Sequence, residues 1–427
     1  MYLILGLLLL LIALGIPVAI SLGLTSLIAL FAIYGTDAPV DLVAQRMYYG
    51  VNSFLLVAVP FFMLAGEVMN RSGATRRLFR FADALVGWLP GGLGHVNIAS
   101  SFIFAGMSGS AAADAAGLGA IEIRAMRERG FPLPFAVGLT AASSTVGPMV
   151  PPSIPMIVFG VASGTSIGGL FLAGVVPGLL LCLLLSLMVW LWARRGELPA
   201  GEPFDRAVLL DALKAAVLPL LTPVIVLAGI FGGYFTPTEA SVVAVLYTSA
   251  LGVLVYREIT PRDLVDIAAH VAREIAPLML IVASAALFGY LIIRLGIPRQ
   301  LAEAMLASTD SATVVLFLIV LIMLLVGFFM ETVSAIIIFT PLFMPVVKQV
   351  GIDPLQLGVV MVITLMAGVI TPPVGIVLFI MQKVSGLPIE RVFRAVGPFF
   401  VPLLAAIAML VLFPALSTWL PAAFYGR

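Results

Sequence analysis

Polar residues in this chain gather in short clusters between long apolar runs, instead of recurring along one face of each predicted element. Runs such as Leu3–Ile33 and Leu172–Ala193 reach the roughly 20 residues an α-helix needs to cross a bilayer. This pattern predicts spans near 2–15, 17–34, 52–70, 135–163 and 169–193, and then near 216–233, 240–256, 275–293, 355–381 and 397–420. Segment 75–92 differs in kind. Leu78, Phe81, Ala82, Leu85 and Leu89 fall on one helical face, with Arg76, Arg80 and Asp83 on another, as in a helix lying in the membrane interface. A counterpart begins near Pro298, with Leu301, Met305 and Leu306 apolar.

Two apolar stretches are broken from within. "VGPMVPPSIPMIVFG" (146–160) holds Pro148, Pro151, Pro152 and Pro155, although a proline in a helix interior costs about 3 kcal/mol and frees a carbonyl. "GVITPPVGIVLFI" (368–380) echoes it, with Pro372 and Pro373 placed 221 positions after Pro151 and Pro152. "GEVMNRSGATRRL" (66–78) aligns with "GYLIIRLGIPRQL" (289–301) at a shift of 223, and 16–31 aligns with 235–250 at about 220. A nearly constant offset at three ordered places predicts two related halves, 1–205 and 206–427.

Composition agrees with a membrane class. Of 427 residues, 62% are hydrophobic and 10% charged, against about 25% charged in soluble domains. The net charge of +1 and the absence of a basic block give no reason to expect a nucleic-acid partner. Cys182 is the only cysteine, which excludes internal disulfides and cysteine-based metal sites. No Lys or Arg precedes Arg46, so the N-terminal run lacks the basic flank of a secretory signal and is expected to remain as a membrane helix.

Basic residues collect on the cytoplasmic side of membrane proteins. Here Arg71, Arg76, Arg77 and Arg80 form one cluster, and Arg124, Arg127 and Arg129 another. The apolar stretch between them, 97–123, is interrupted by "SGS" at 108–110, and its two limbs are too short to span. A re-entrant hairpin over 97–123 keeps both clusters inside. A second hairpin is predicted over 313–347, with its tip at "METVSA" (330–335). With both termini outside, only Arg46, Arg294, Arg299, Lys348 and Arg427 of the 22 basic residues lie outside. Five spans per half invert the second half relative to the first. The predicted fold class is therefore an all-α polytopic membrane protein, an inverted repeat of about five spans plus one re-entrant hairpin per half.

Broken helices in inverted repeats are a transporter architecture. Irregular backbone at membrane depth persists only where it is buried or lines a cavity. There, freed carbonyls can bind a dehydrated cation, and helix N-termini can hold a carboxylate. Intramembrane acids are functional candidates, and Asp114 and Glu331 sit at the two hairpins. "GMSG" (106–109) has the form of a serine-nucleophile motif, but the two histidines, His95 and His270, are placed at membrane edges, away from Ser108. An enzyme is not expected. A non-transporting membrane scaffold would not need paired breaks.

"SGSAAADAAGLGAIEI" (108–123), "SSTVGPMVPPSIPMIVFG" (143–160), "GGYFTPTEASVVAVLY" (232–247) and "GVITPPVGIVLFI" (368–380) together resemble the large permease subunit of TRAP (tripartite ATP-independent periplasmic) transporters, the DctM-like family, over essentially the whole chain. The resemblance implies an elevator-type, sodium-coupled carrier in the bacterial or archaeal inner membrane. It also implies a small four-helix DctQ-like membrane subunit, a periplasmic substrate-binding protein, and an organic-acid substrate such as a C4-dicarboxylate, sialic acid or another sugar acid. By motif, one sodium site would use Ser108 with carbonyls of Gly147, Val150 and Pro152, and a second would use Thr332 with Gly368, Thr371 and Pro373. The substrate carboxylate would lie between the tips near Ser110, Asp114 and Ser153. The small subunit is expected as a separate polypeptide. No GxxxxGK[ST] phosphate loop occurs, so ATP is not expected to drive transport. The alternative is a stand-alone sodium–dicarboxylate symporter of the divalent-anion family. Those carriers place Ser-Asn-Thr at both tips, where this chain reads "SGS" and "ETV".

Overall fold

A computed structural model describes residues 2–307, 309, 311–372 and 374–426. Every regular element described is helical. The first part of the chain forms α1 (Tyr2–Ala13), α2 (Val18–Tyr34), α3 (Asp41–Val51), α4 (Ala58–Arg71) and α5 (Ala74–Val86). A helical pair follows, α6 (Gly92–Ser108) and α7 (Ala111–Glu128), and then an interrupted helix, α8 (Leu133–Ser143) and α9 (Ile154–Ser163), before α10 (Ile167–Arg194). Next come α11 (Arg206–Phe231), α12 (Pro237–Ala250), α13 (Pro261–Arg294) and α14 (Ile297–Leu306). A second pair, α15 (Ala312–Gly327) and α16 (Thr332–Gln349), precedes a second interrupted helix, α17 (Pro354–Val369) and α18 (Ile376–Ser385). The chain closes with α19 (Ile389–Val396), α20 (Phe400–Leu412) and α21 (Ala415–Tyr425).

Helix starts follow local chemistry. Asp205 caps α11 by accepting from the N–H groups of Ala207 and Val208. Thr236 and Glu239 form a reciprocal capping box on α12, as Thr260 and Asp263 do on α13, each satisfying orphan donors of a first turn. Both boxes are followed by a proline at the first helical position, Pro237 and Pro261, where no N–H is needed.

Eight helical stretches among the described residues are long and apolar enough to cross a membrane, among them Val18–Asp37, Ile167–Arg194 and Pro261–Arg294. On α10, Leu179, Leu183, Leu187 and Leu191 are exposed at every fourth position, and on α15 Phe317, Leu321 and Leu325 are too. Such stripes are what a lipid-facing helix surface carries. The core lies elsewhere. Every residue of Phe135–Ser143 in α8 is buried, as is every residue of Gln356–Gly368 in α17. α16 packs on α9, α15 on α17, α18 on α7 and α19 on α8, so both pairs and both interrupted helices form one mass. Around it, α12 packs against α4, and α13 against α2 and α3.

Several boundaries differ from the sequence reading, among them the span expected near 216–233, which begins at Arg206 in α11. The span expected at 275–293 is the second half of the continuous α13, 34 residues long. Residues 41–51, given no element above, form α3. The span expected at 397–420 is divided at Phe413–Pro414 into α20 and α21, where Pro414 removes a backbone donor.

Candidate functional site at the helix breaks

The turn between α6 and α7 rests on the first break. Gly109 is left-handed (φ +57°) and closes α6, donating its N–H to Ala105 O. A Cβ at Gly109 would stand 3.1 Å from the carbonyl carbon of Pro152 and 3.3 Å from the nitrogen of Ile154, so the turn and the break touch backbone to backbone. A Cβ at Gly147 would lie 3.5 Å from the Ser110 carbonyl. The Pro151–Pro152 peptide bond is cis. Ser108 is buried at 2% exposure, and among the described residues its Oγ has no hydrogen-bond partner. Outside the helices, no described backbone N–H donates to the carbonyls of Gly147, Val150 or Pro152.

The second turn and break meet in the same way. A Cβ at Gly327 would stand 3.2 Å from Gly368 Cα, and Val374 N–H donates to Phe328 O (3.3 Å). Thr332 is buried in the first turn of α16. Gly368 O accepts from Thr371 N–H (2.9 Å), and Thr371 Oγ1 donates to Ala367 O (2.6 Å). Each carbonyl oxygen keeps a second lone pair. Pro373 lies outside the described residues.

Between the turns lies a cavity of about 170 Å3, walled by Gly109, Ser110, Pro148, Glu331, Thr332 and Val369, among others. Ser110 and Thr332 come from opposite halves of the sequence, so the cavity joins both pairs and both breaks. Ser110 also caps α7, accepting from Ala113 N–H. Glu331 caps α16 by accepting from Val333 and Ser334 N–H (3.0 and 3.2 Å), so its carboxylate already occupies that helix's positive end. Ser153 and Asp114 are not among the lining residues. Ser153 Oγ is held between Pro148 O and Met156 N–H behind the break, and Asp114 is buried in the first turn of α7. A larger crevice of about 770 Å3 opens away from the turns, lined by Ser163, Ser166, Lys348, Asp353 and Tyr425. None of the site residues expected from sequence lines it.

Sequence reading missed a buried polar cluster behind the first turn. Asn97 donates to Glu122 and to Thr140 (both 2.7 Å), Ser100 reaches the other Glu122 oxygen, and Ser143 donates to Asn97 Oδ1 (2.6 Å). The signal was available: Asn97, Ser100 and Ser101 share one helical face, and Glu122 lies in an apolar stretch. The histidines are occupied elsewhere. His95 bonds Pro90 O and His270 pairs with Glu274, so neither serves Ser108 as a base.

The family model described as "Tripartite ATP-independent periplasmic transporter, DctM component" matches residues 5–416. The chain belongs to this family. As a DctM permease component it is part of a transporter and not an enzyme, and it is a multi-pass protein of the cytoplasmic membrane. It is 43% identical to the sialic acid TRAP transporter large permease protein SiaM of Vibrio cholerae, over 96% of each chain. It is 35% identical to the C4-dicarboxylate large permease protein DctM of Rhodobacter capsulatus, over 97% of each. The isethionate permease protein DctMQ of Oleidesulfovibrio alaskensis is 38% identical over 94% of this chain but only 63% of its own length. Among solved structures, the YdaH transporter of Alcanivorax borkumensis is similar at TM-score 0.61 and 16% identity, over 86% of each chain. MtrF of Neisseria gonorrhoeae follows at TM-score 0.55 and 12% identity, covering 86% of this chain and 82% of its own. These two likenesses establish a shared fold.

Proposed function

We propose that the chain is the large membrane subunit of a sodium-coupled, binding-protein-dependent importer of an organic acid, working by an elevator movement. The observation that carries this reading is the convergence of both turns and both breaks on one cavity. In the proposed topology, 1–205 and 206–427 are inverted repeats with both termini periplasmic. The pairs α6–α7 and α15–α16 are re-entrant hairpins within a moving body, and the outer helices form the scaffold.

Sodium fits what the first break offers. Ser108 Oγ is a buried hydroxyl without a partner, beside the unwound backbone carrying the carbonyls of Gly147, Val150 and Pro152. Uncharged hydroxyl and carbonyl oxygens at a break are the donors that replace water around a monovalent cation. The second site uses Thr332 with Gly368, Thr371 and Pro373. Glu331 already fills the N-terminus of α16, so the substrate carboxylate goes to the N-terminus of α7, where Ser110, Ala111 and Ala112 line the cavity. At about 170 Å3 the cavity is below the roughly 300–1,000 Å3 of ligand sites, so a sugar acid requires the tips to part. Sodium orders the tips and thereby completes the carboxylate site.

The relatives' substrates support the substrate class: sialic acid for SiaM and C4-dicarboxylates for DctM. The partners are a DctQ-like small subunit and a periplasmic binding protein, and the longer DctMQ relative supports the first of these. The test is reconstitution in liposomes with the small subunit and the acid-loaded binding protein, omitting one component at a time. Uptake is expected only from the complete set. Uptake by this chain alone would overturn the three-component reading in favour of a stand-alone symporter.

A further inference from the structure

Two carboxyl groups lie buried on α7 without a counter-charge. Asp114 and Glu122 are each 1% exposed, and eight residues, about 12 Å of helix rise, separate them. Among the described residues no cation bonds either one. α8 carries no titratable side chain, Lys383 on α18 is exposed, and Glu67 and Arg71 on α4 pair with each other. On α5, Arg77, Arg80 and Asp83 pair with Glu258, Asp211 and Arg129, and Arg76 is exposed. On α7 itself Arg124 pairs with Glu128 and Arg127 is exposed. On α6 His95 bonds Pro90 O, and Cys182 on α10 is an uncharged thiol within electrostatic reach of Asp114.

Two buried acids without a counter-charge cost least when each holds a proton. Ser101 sits beside the Asp114 carboxyl and also donates to Ser143 Oγ (3.3 Å), which donates to Asn97 Oδ1, whose amide in turn donates to Glu122. Among the described residues Asp114 Oδ2 has no hydrogen-bond partner. Ser100 Oγ has three acceptors in reach, Glu122 Oε1 (2.5 Å), Val96 O (2.7 Å) and Asn97 O (3.1 Å). With both ionised, two unpaired negative charges would lie buried together, the costliest arrangement for such groups.

We propose that Asp114 and Glu122 form a proton-binding pair, set on either side of the Ser101–Ser143–Asn97 hydrogen-bond chain and distinct from the sodium sites at the breaks. The proposal rests on the transport reading for its role in the cycle. The pair lies one helical turn and more behind the tip that seats on Pro152, so loss of a proton places a charge behind that seat. Transport therefore slows as the pair deprotonates at alkaline pH.

The test uses the complete complex and the isosteric variants Asp114→Asn and Glu122→Gln, each a permanent mimic of the protonated form. Infrared difference spectra across a pH titration are expected to show a buried carboxylic-acid C=O band in the natural protein that each variant diminishes. Uptake by the natural complex is expected to fall towards about tenfold per pH unit above the pair's titration, and the ratio of acid to alkaline uptake is expected to approach one in the variants. The proposal is overturned if neither substitution alters the carboxylic-acid band, or if both variants keep the natural pH profile. A band lost in the variants of a complex that never transports would support the proton pair and defeat the transport reading.

Discussion

Substituting Gly109 by alanine tests whether the first tip is seated on the first break. Two costs add at this residue. Its φ of +57° is left-handed, which penalises a Cβ by about 1–2 kcal/mol. The new Cβ would also clash with the Pro152 carbonyl, its oxygen nearest and its carbon at 3.1 Å, and meet Ile154 N at 3.3 Å. These are backbone atoms that no side-chain rotation can withdraw, and overpacking of this kind costs about 1–3 kcal/mol. The expected total is about 2–5 kcal/mol. Gly130→Ala is the control, because Gly130 is left-handed too (φ +81°) but has nothing within 4 Å of an added Cβ. It carries only the first cost. Thermal unfolding of the purified complex should therefore rank the natural protein above Gly130→Ala, and Gly130→Ala above Gly109→Ala. Gly109→Ala is also expected to lose stabilisation by sodium, which amounts to about 2.7 kcal/mol at a hundredfold excess over Kd. A Gly109 variant no less stable than the Gly130 variant would refute the backbone seat.

Three further outcomes follow from the same geometry. Ser108→Ala removes an oxygen without a partner, so the melting temperature without sodium should stay close to that of the natural protein, while half-maximal activation needs about tenfold more sodium, equivalent to 1.4 kcal/mol. Gly368→Ala is expected to destabilise more than Gly147→Ala in parallel melts, although the two positions correspond at the 221-residue offset of the sequence. At Gly368 the new Cβ meets the Gly327 backbone at 2.5–2.6 Å, whereas at Gly147 the nearest atom is Ser144 O at 3.2 Å. Arg129 bonds Asp83 (3.0 Å) and Glu202 (3.3 Å) from a partly exposed position, so Arg129→Ala should cost about 1 kcal/mol or less, and less still at high salt.

The two helical pairs were legible because their turns interrupt apolar runs with Gly, Ser and Glu, and the breaks because proline cannot continue a helix. α3 was not legible. Its sequence, DLVAQRMYYGV, mixes polar and apolar positions without a clean period, and packing against α13 decides it. The first half of α13 did carry a signal, the Thr260–Asp263 capping box, but a search for apolar runs passes over an amphipathic turn. At the site, sequence reading named Ser110 and Thr332, both on the cavity wall. It could not place Asp114 and Ser153 off that wall, because their burial depends on which helices pack behind them. Glu122 stood out as an acid in an apolar stretch, but its partners were illegible for the same reason. Its partners Asn97 and Ser100 are on α6, across a turn, and no periodicity within one helix reports a contact between two.

Uptake of a radiolabelled organic acid by the complete complex in liposomes, measured with sodium outside and again with choline in its place, bears most directly on the proposed sodium coupling. Accumulation with sodium and none above background with choline is the expected result. Equal accumulation in choline would contradict the assignment of sodium to the two breaks.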